Sequence, residues 1–164
     1  MRVTPPHPRT SARSRLRPVA VAVALALALP LLLSACTPAR PDDPIAAARQ
    51  LNGATAAIKN GNAQDSCGEF RLGQGEQVPD SALDCLADAA GVTPAELAWS
   101  FPTTEGDPIV SFAFVGPGID GVETYTTTAF DSYGGGVDGS WSGILCPDPR
   151  DVRGEGDCRL LLEG

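Results

Sequence analysis

Histidine is all but missing from this chain. The 164 residues hold one, His7, and it lies in an N-terminal stretch that reads as a leader. Loss of that leader leaves no imidazole, which excludes Ser-His-Asp and Cys-His catalysis and zinc sites built on histidine. Lysine is as scarce, with Lys59 alone. Gly73-Gln74-Gly75-Glu76 is therefore no phosphate loop, since it lacks both the lysine and the spacing. There is no C-x-x-C pair to suggest a metal site, no internal repeat and no twin-arginine leader. Beyond residue 36 there are seven basic residues against 20 acidic ones, a formal charge of −13. That balance excludes nucleic acid, which demands basic patches. It also excludes charge-driven adhesion to anionic lipid and reads as a solvating, aggregation-resistant surface.

What is present begins with an address. Met1–Pro18 carries Arg2, Arg9, Arg13, Arg15 and Arg17 and no acid. Val19–Leu33 is an unbroken apolar run of 15 residues containing Pro30. A membrane span wants ~20 apolar residues, and Pro30 interrupts helical hydrogen bonding. A basic head, an apolar core and a small-residue exit make residues 1–35 a signal peptide, outside the fold. Leu33-Ser34-Ala35-Cys36 fits the bacterial lipobox. The segment resembles those of bacterial lipoproteins, which implies a diacylglyceryl thioether on Cys36, cleavage before it and a possible N-acyl chain such as palmitate. Two or more chains anchor stably at ~0.8 kcal/mol per buried methylene. The covalent lipid is the only prosthetic group expected. The expected location is the extracytoplasmic face of the cell membrane, or the outer membrane if there is one. Thr37–Pro44 has three prolines, so residues 36–44 read as lipidated cysteine plus flexible tether.

Residues 45–164 suffice for one small domain. Cys67, Cys85, Cys146 and Cys158 remain, and an even number in an exported chain reads as two disulfides. Of three connectivities, the short loops Cys67–Cys85 and Cys146–Cys158 close with least entropy. Ile45–Lys59 suggests one or two helical turns, and Asn60–Ser66 a loop. Leu83, Leu86, Ala87 and Ala90 recur at helical spacing, with Asp80 or Ser81 as cap and Gly91 as stop. Leu97, Trp99 and Phe101, then Val110, Phe112 and Phe114, alternate as strands around the Thr103–Pro108 turn, and these aromatics read as core. Val122–Phe130, Trp141–Cys146 and Cys158–Leu162 follow as further strands. The expected fold is α+β: one short helix packed on an antiparallel meander of four to five strands, with two disulfides.

Thr103-Thr104-Glu105-Gly106-Asp107-Pro108-Ile109 resembles a hairpin motif in an uncharacterised lipoprotein family with a domain of unknown function. The likeness covers residues 99–160, with Asp131, Gly134–Gly136, Cys146 and Cys158 at the places the family pattern marks. This chain departs in placing its last cysteine before the final apolar strand. The resemblance implies a fold and a compartment, and no chemistry.

Three groups carry candidate chemistry. Glu105 and Asp107 flank Gly106 and could bind a cation or act as acid and base, against a plain turn role. Asp131, Tyr133 and Trp141, with the glycine run, could line a ligand or glycan surface, against a simple covering role. Asp148, Asp151, Glu155 and Asp157 in the acidic loop 147–157 could hold calcium, although their spacing matches no EF-hand. No catalytic constellation emerges. The expectation is a lipid-anchored envelope protein, a non-enzymatic binding module for an unidentified envelope or extracellular ligand. The alternatives are an inhibitor using the 103–108 hairpin and a carboxylate-dependent glycan hydrolase.

Overall fold

The computed structural model of the chain describes residues 40–61, 65–133 and 141–162. The leader, Cys36 and Gly134–Gly136 lie outside the described residues. The elements run α1 (Pro44–Ala48), α2 (Ala56–Lys59), β1 (Asp65–Arg71), α3 (Asp80–Ala89), β2 (Ala95–Pro102), β3 (Pro108–Val115), β4 (Val122–Thr127), β5 (Trp141–Cys146) and β6 (Arg159–Leu162). One sheet holds six strands in the order β1-β2-β3-β4-β5-β6.

The fold is α+β, but the sheet is mixed and larger than the expected four to five strands. β1 runs parallel to β2, and every later pair is antiparallel. The unforeseen strand is β1, and the crossover from it to β2 contains α3. Its sequence hides it because the register slips between Ser66 and Gly68. The slip puts Cys67 and Phe70, three residues apart, into the same apolar cluster, so the period of two is broken. The Cys67–Cys85 disulfide then ties β1 to the crossover helix across a Cα separation of 5.6 Å.

Both sheet faces are covered, not one. On the first face α3 contributes Ala82 and Leu86 against Leu97, Ala113, Val115 and Val122. On the second, Ile45 and Ala48 of α1 and Ile58 of α2 meet Ala98, Val110, Phe112 and Phe114. All of β3 is therefore buried, as expected of a strand sandwiched on both sides. The short helices are set by local chemistry. The Asp43 carboxylate accepts the Ala46 N–H at 3.0 Å ahead of Pro44, and the Thr55 hydroxyl accepts that of Ile58 at 3.3 Å. Pro79 occupies the cap position of α3, so neither Asp80 nor Ser81 caps it; Gly91 lies just beyond its end at φ 70°.

Arg49 fastens the second face. Its guanidinium reaches Glu96 at 2.5 and 3.2 Å, Glu69 at 2.6 Å and the Ile58 carbonyl at 2.9 Å, and lies 4.8 Å from the Phe112 ring centroid. Burial alone would lower its pKa, but the bonds to Glu96 and Glu69 outweigh that and raise it. The chain just before α1 is fastened too. Arg71 reaches the Asp43 carboxylate at 2.6 Å and the Asp42 carbonyl at 2.8 Å, and Arg40 reaches Asp107 at 2.6 Å. Of the expected tether, residues 40–44 thus carry specific contacts with the domain.

At the other sheet edge Cys146–Cys158 joins the end of β5 to the start of β6, with Cα atoms 4.2 Å apart. Both disulfides follow the short-loop pairing expected from the sequence. Gly121 opens β4 at φ +114°, where a Cβ would fall 1.9 Å from the Cys146 carbonyl oxygen. Only glycine allows β4 and β5 to meet there.

Candidate functional site

The first face is not wholly covered by α3. Beyond the helix, a cavity of about 420 Å³ opens over the middle of the sheet. That volume is in the range of small-molecule sites. Its lining changes from one strand to the next. β2 supplies Trp99, Phe101 and Pro102; β3 and β4 supply Ser111, Thr124 and Thr126; β5 supplies Ile144. Two loops form its sides. Leu72, Gly73, Gly75 and Glu76 come from the β1–α3 connection, and Val152 and Arg153 from the disulfide-closed β5–β6 loop.

Strand register builds the polar middle. Ser111 pairs with Thr126, Ala113 with Thr124, and Thr124 with Ile144. Ser111, Thr124 and Thr126 therefore share one face, two positions apart along β4. The hydroxyls of Ser111 and Thr126 bond each other at 2.9 Å. One of the two donates, so the other keeps a proton for a third partner. Thr124 is 3% exposed, and its hydroxyl has no hydrogen-bond partner among the described residues. An unpaired buried hydroxyl is costly, and native structures hold few.

The charges lie on the two side loops. Glu76 accepts the Gly73 N–H at 2.6 Å, which closes its own turn. Arg153 and Arg159 are exposed and have no ion pair among the described residues, whereas Arg40, Arg49, Arg71 and Arg150 are each bound to a carboxylate; of the two, Arg153 lines the cavity. Phe101 was expected in the core; it is 39% exposed on the cavity rim. The reason is that α3 ends short of this part of β2, so the alternation that buries Leu97 and Trp99 continues into a partly open position.

The candidates singled out from the sequence are not gathered in this cavity. Asp107 is a structural clasp. One carboxylate oxygen takes Arg40, the other accepts the Ser132 N–H at 2.9 Å, and its own N–H donates to the Thr103 hydroxyl at 3.1 Å. The Ser132 amide first, and then Arg40, hold its carboxyl below the ordinary value. Glu105 is exposed, and its backbone carbonyl accepts from Arg40 at 3.3 Å. Asp131 accepts the Tyr133 N–H at 2.9 Å in a local turn, and Tyr133 is 78% exposed. Trp141 is buried in the second-face cluster, its ring centroid 6.0 Å from that of Phe112, and its indole N–H has no partner among the described residues. The Asp107–Ser132 bond thus sets the 103–107 turn beside Asp131 and Tyr133, whereas Trp141 is buried in the second-face cluster.

The acidic loop is also internally engaged. Both Asp151 oxygens accept backbone amides, from Glu155 at 2.9 Å and Gly156 at 2.5 Å, and Asp148 accepts the Arg150 N–H at 2.9 Å. Arg150 pairs with Asp84 of α3. Asp151 lies near Cys146 and Cys158, but those sulfurs are spent in a disulfide. Tyr125, pushed up to about 12 chiefly by burial and further by the Glu123 charge, offers no proton transfer at neutral pH.

The cavity residues were invisible as a group because serine and threonine on alternate strand positions read as a solvent face. Only the cross-strand register brings them together. Comparison with protein-family models, curated proteins and solved structures finds no match to this chain. Among the described residues no helix is long and apolar enough to cross a membrane.

Proposed function

We propose that the chain is a lipid-anchored envelope protein whose single domain binds a small ligand, without chemistry, in the cavity over β2–β5. The anchoring half of this reading rests on Leu33-Ser34-Ala35-Cys36 behind its basic and apolar segments. The two disulfides agree with an oxidising, exported setting. The likeness of residues 99–160 to a lipoprotein family of unknown function points the same way.

The binding half is carried by one observation: a 420 Å³ cavity whose lining sets the Ser111–Thr126 hydroxyl pair, with one proton unused, between aromatic and aliphatic flanks. Aromatic and aliphatic flanks with a few convergent polar groups are the usual make-up of a ligand site. A non-enzymatic role is favoured because the lining offers no histidine, cysteine or paired carboxylates, only Glu76 already bonded to Gly73. The hairpin reading is less supported, since Asp107 is consumed in holding Arg40 and Ser132.

The test uses Trp99 as a reporter within the cavity. A panel of small amphiphiles and saccharides is titrated into the full chain carrying Trp141→Phe, and Trp99 emission is followed. At least one class is expected to give saturable change that Thr126→Phe, which fills the cavity, removes. Silence across the panel, or saturation untouched by Thr126→Phe, contradicts the site.

A further inference from the structure

We infer that the cavity takes a small amphiphile with three parts in line: an apolar end, a carbonyl acceptor in the middle and a terminal carboxylate, as in an N-acyl amino acid. This rests on the reading of the cavity as a binding site and adds the class of its occupant.

The strand order sets the order of the parts. On the β2 side the lining is apolar, with Trp99, Phe101 and the nearby Leu72. The middle strands β3 and β4 present hydroxyls. The Ser111–Thr126 pair retains one proton. It is suited to an uncharged carbonyl oxygen. A pure hydrocarbon there would leave it unpaired at a cost. The far side, reached through Ile144 and Val152, ends in Arg153.

Arg153 decides the sign of the terminal group. Four of the six described arginines are neutralised within the domain; Arg153 and Arg159 are not, and of these two Arg153 lines the cavity. The residues beyond position 36 carry a net charge of −13, so an unpaired guanidinium beside a cavity is a local exception to the field. A carboxylate offers it two oxygens in matching geometry. The same acidic field repels multiply charged anions, which favours a single carboxylate over a phosphate-rich head.

The experiment titrates N-octanoylglycine and its methyl ester into the full chain carrying Trp141→Phe, read by Trp99 emission. The acid is expected to bind more tightly than the ester by up to ~5-fold, the worth of one rim ion pair. Arg153→Gln should bring the acid to the ester's affinity and leave the ester unchanged. Thr126→Val should weaken both. Acid and ester binding equally well, or Arg153→Gln weakening both alike, overturns the assignment of the head and leaves the cavity's role intact. Binding of octanol as tightly as the ester overturns the central carbonyl. Failure of every probe, together with silence of the wider panel, overturns the cavity's role as well.

Discussion

Replacing Thr124 by valine should stabilise the protein in the absence of ligand. The residue is 3% exposed, and its hydroxyl has no partner among the described residues. Valine keeps the branched shape on a central strand and removes the unpaired group. Leaving such a group buried costs ~1–3 kcal/mol, so a gain of about 1–2 kcal/mol is expected. Unfolding entropy is ~2.1 cal/mol/K per residue, so for a domain of ~120 residues each kcal/mol moves Tm by ~4 °C. The expected rise is therefore about 4–8 °C by calorimetry. Thr127, on the same strand, is the control. It is also fully buried, but its hydroxyl accepts the Ala129 N–H at 3.2 Å. Thr127→Val should lower stability by ~1–2 kcal/mol. Opposite signs at two threonines three residues apart would show that hydrogen-bond satisfaction decides the outcome, not side-chain type. An unchanged or lowered Tm for Thr124→Val would mean its hydroxyl is satisfied in solution, and its reading as an unpaired buried group would fail.

Further outcomes follow from the anchor, the staples and the ion pairs. Cys36→Ala should move the protein from the detergent to the aqueous phase in a partition assay; continued detergent partitioning would refute lipid anchoring. Replacing Cys67 and Cys85 by alanine, or Cys146 and Cys158, should cost about 3 kcal/mol each by the loop-entropy relation, read from urea midpoints; loss of neither pair mattering would show the sheet is self-sufficient. Arg49→Met leaves Glu96, with 5% side-chain exposure, buried beside no cation and should cost ~3–5 kcal/mol; adding Glu96→Leu should recover most of it, and no recovery would discount the pairing. Asp107 has a depressed carboxyl pKa, so its contribution is complete above the ordinary value of ~3.9 and is lost as pH falls through the lower folded value. Protection of the Ser132 amide, relative to its intrinsic hydrogen-exchange rate at each pH, should therefore fall only in strong acid, and a fall already at pH 6 would contradict the clasp.

Much of the second half was legible because its physics is local. Alternation in Val110, Phe112 and Phe114 and the turn at Thr103–Pro108 marked a hairpin that β2 and β3 form in full. The disulfide pairing followed from loop length alone. The first half was harder for identifiable reasons. β1 escaped notice because its bulge breaks the period of two. The second sheet face was missed because α1 and α2 are four or five residues long, too short to show helical periodicity. Arg49 gives no sequence sign that it will reach Glu69 and Glu96, 20 and 47 residues away. Trp141 could be read from the sequence as a ligand surface or as a cover for the sheet, and it takes the covering place, buried on the face that α1 and α2 pack against. The candidate site depended on all of these at once. Ser111, Thr124 and Thr126 are ordinary polar strand residues until register stacks them under two loops that leave room above.

The account turns on where a ligand sits. Backbone chemical shifts of the isotope-labelled full chain, followed as N-octanoylglycine is added, test this directly. The account predicts saturable shifts at Trp99–Phe101, Ser111, Thr124, Thr126, Ile144 and Arg153, with little change at Glu105, Asp107 and Tyr133. Shifts centred instead on the 103–107 turn and Tyr133, with the cavity residues still, would contradict it.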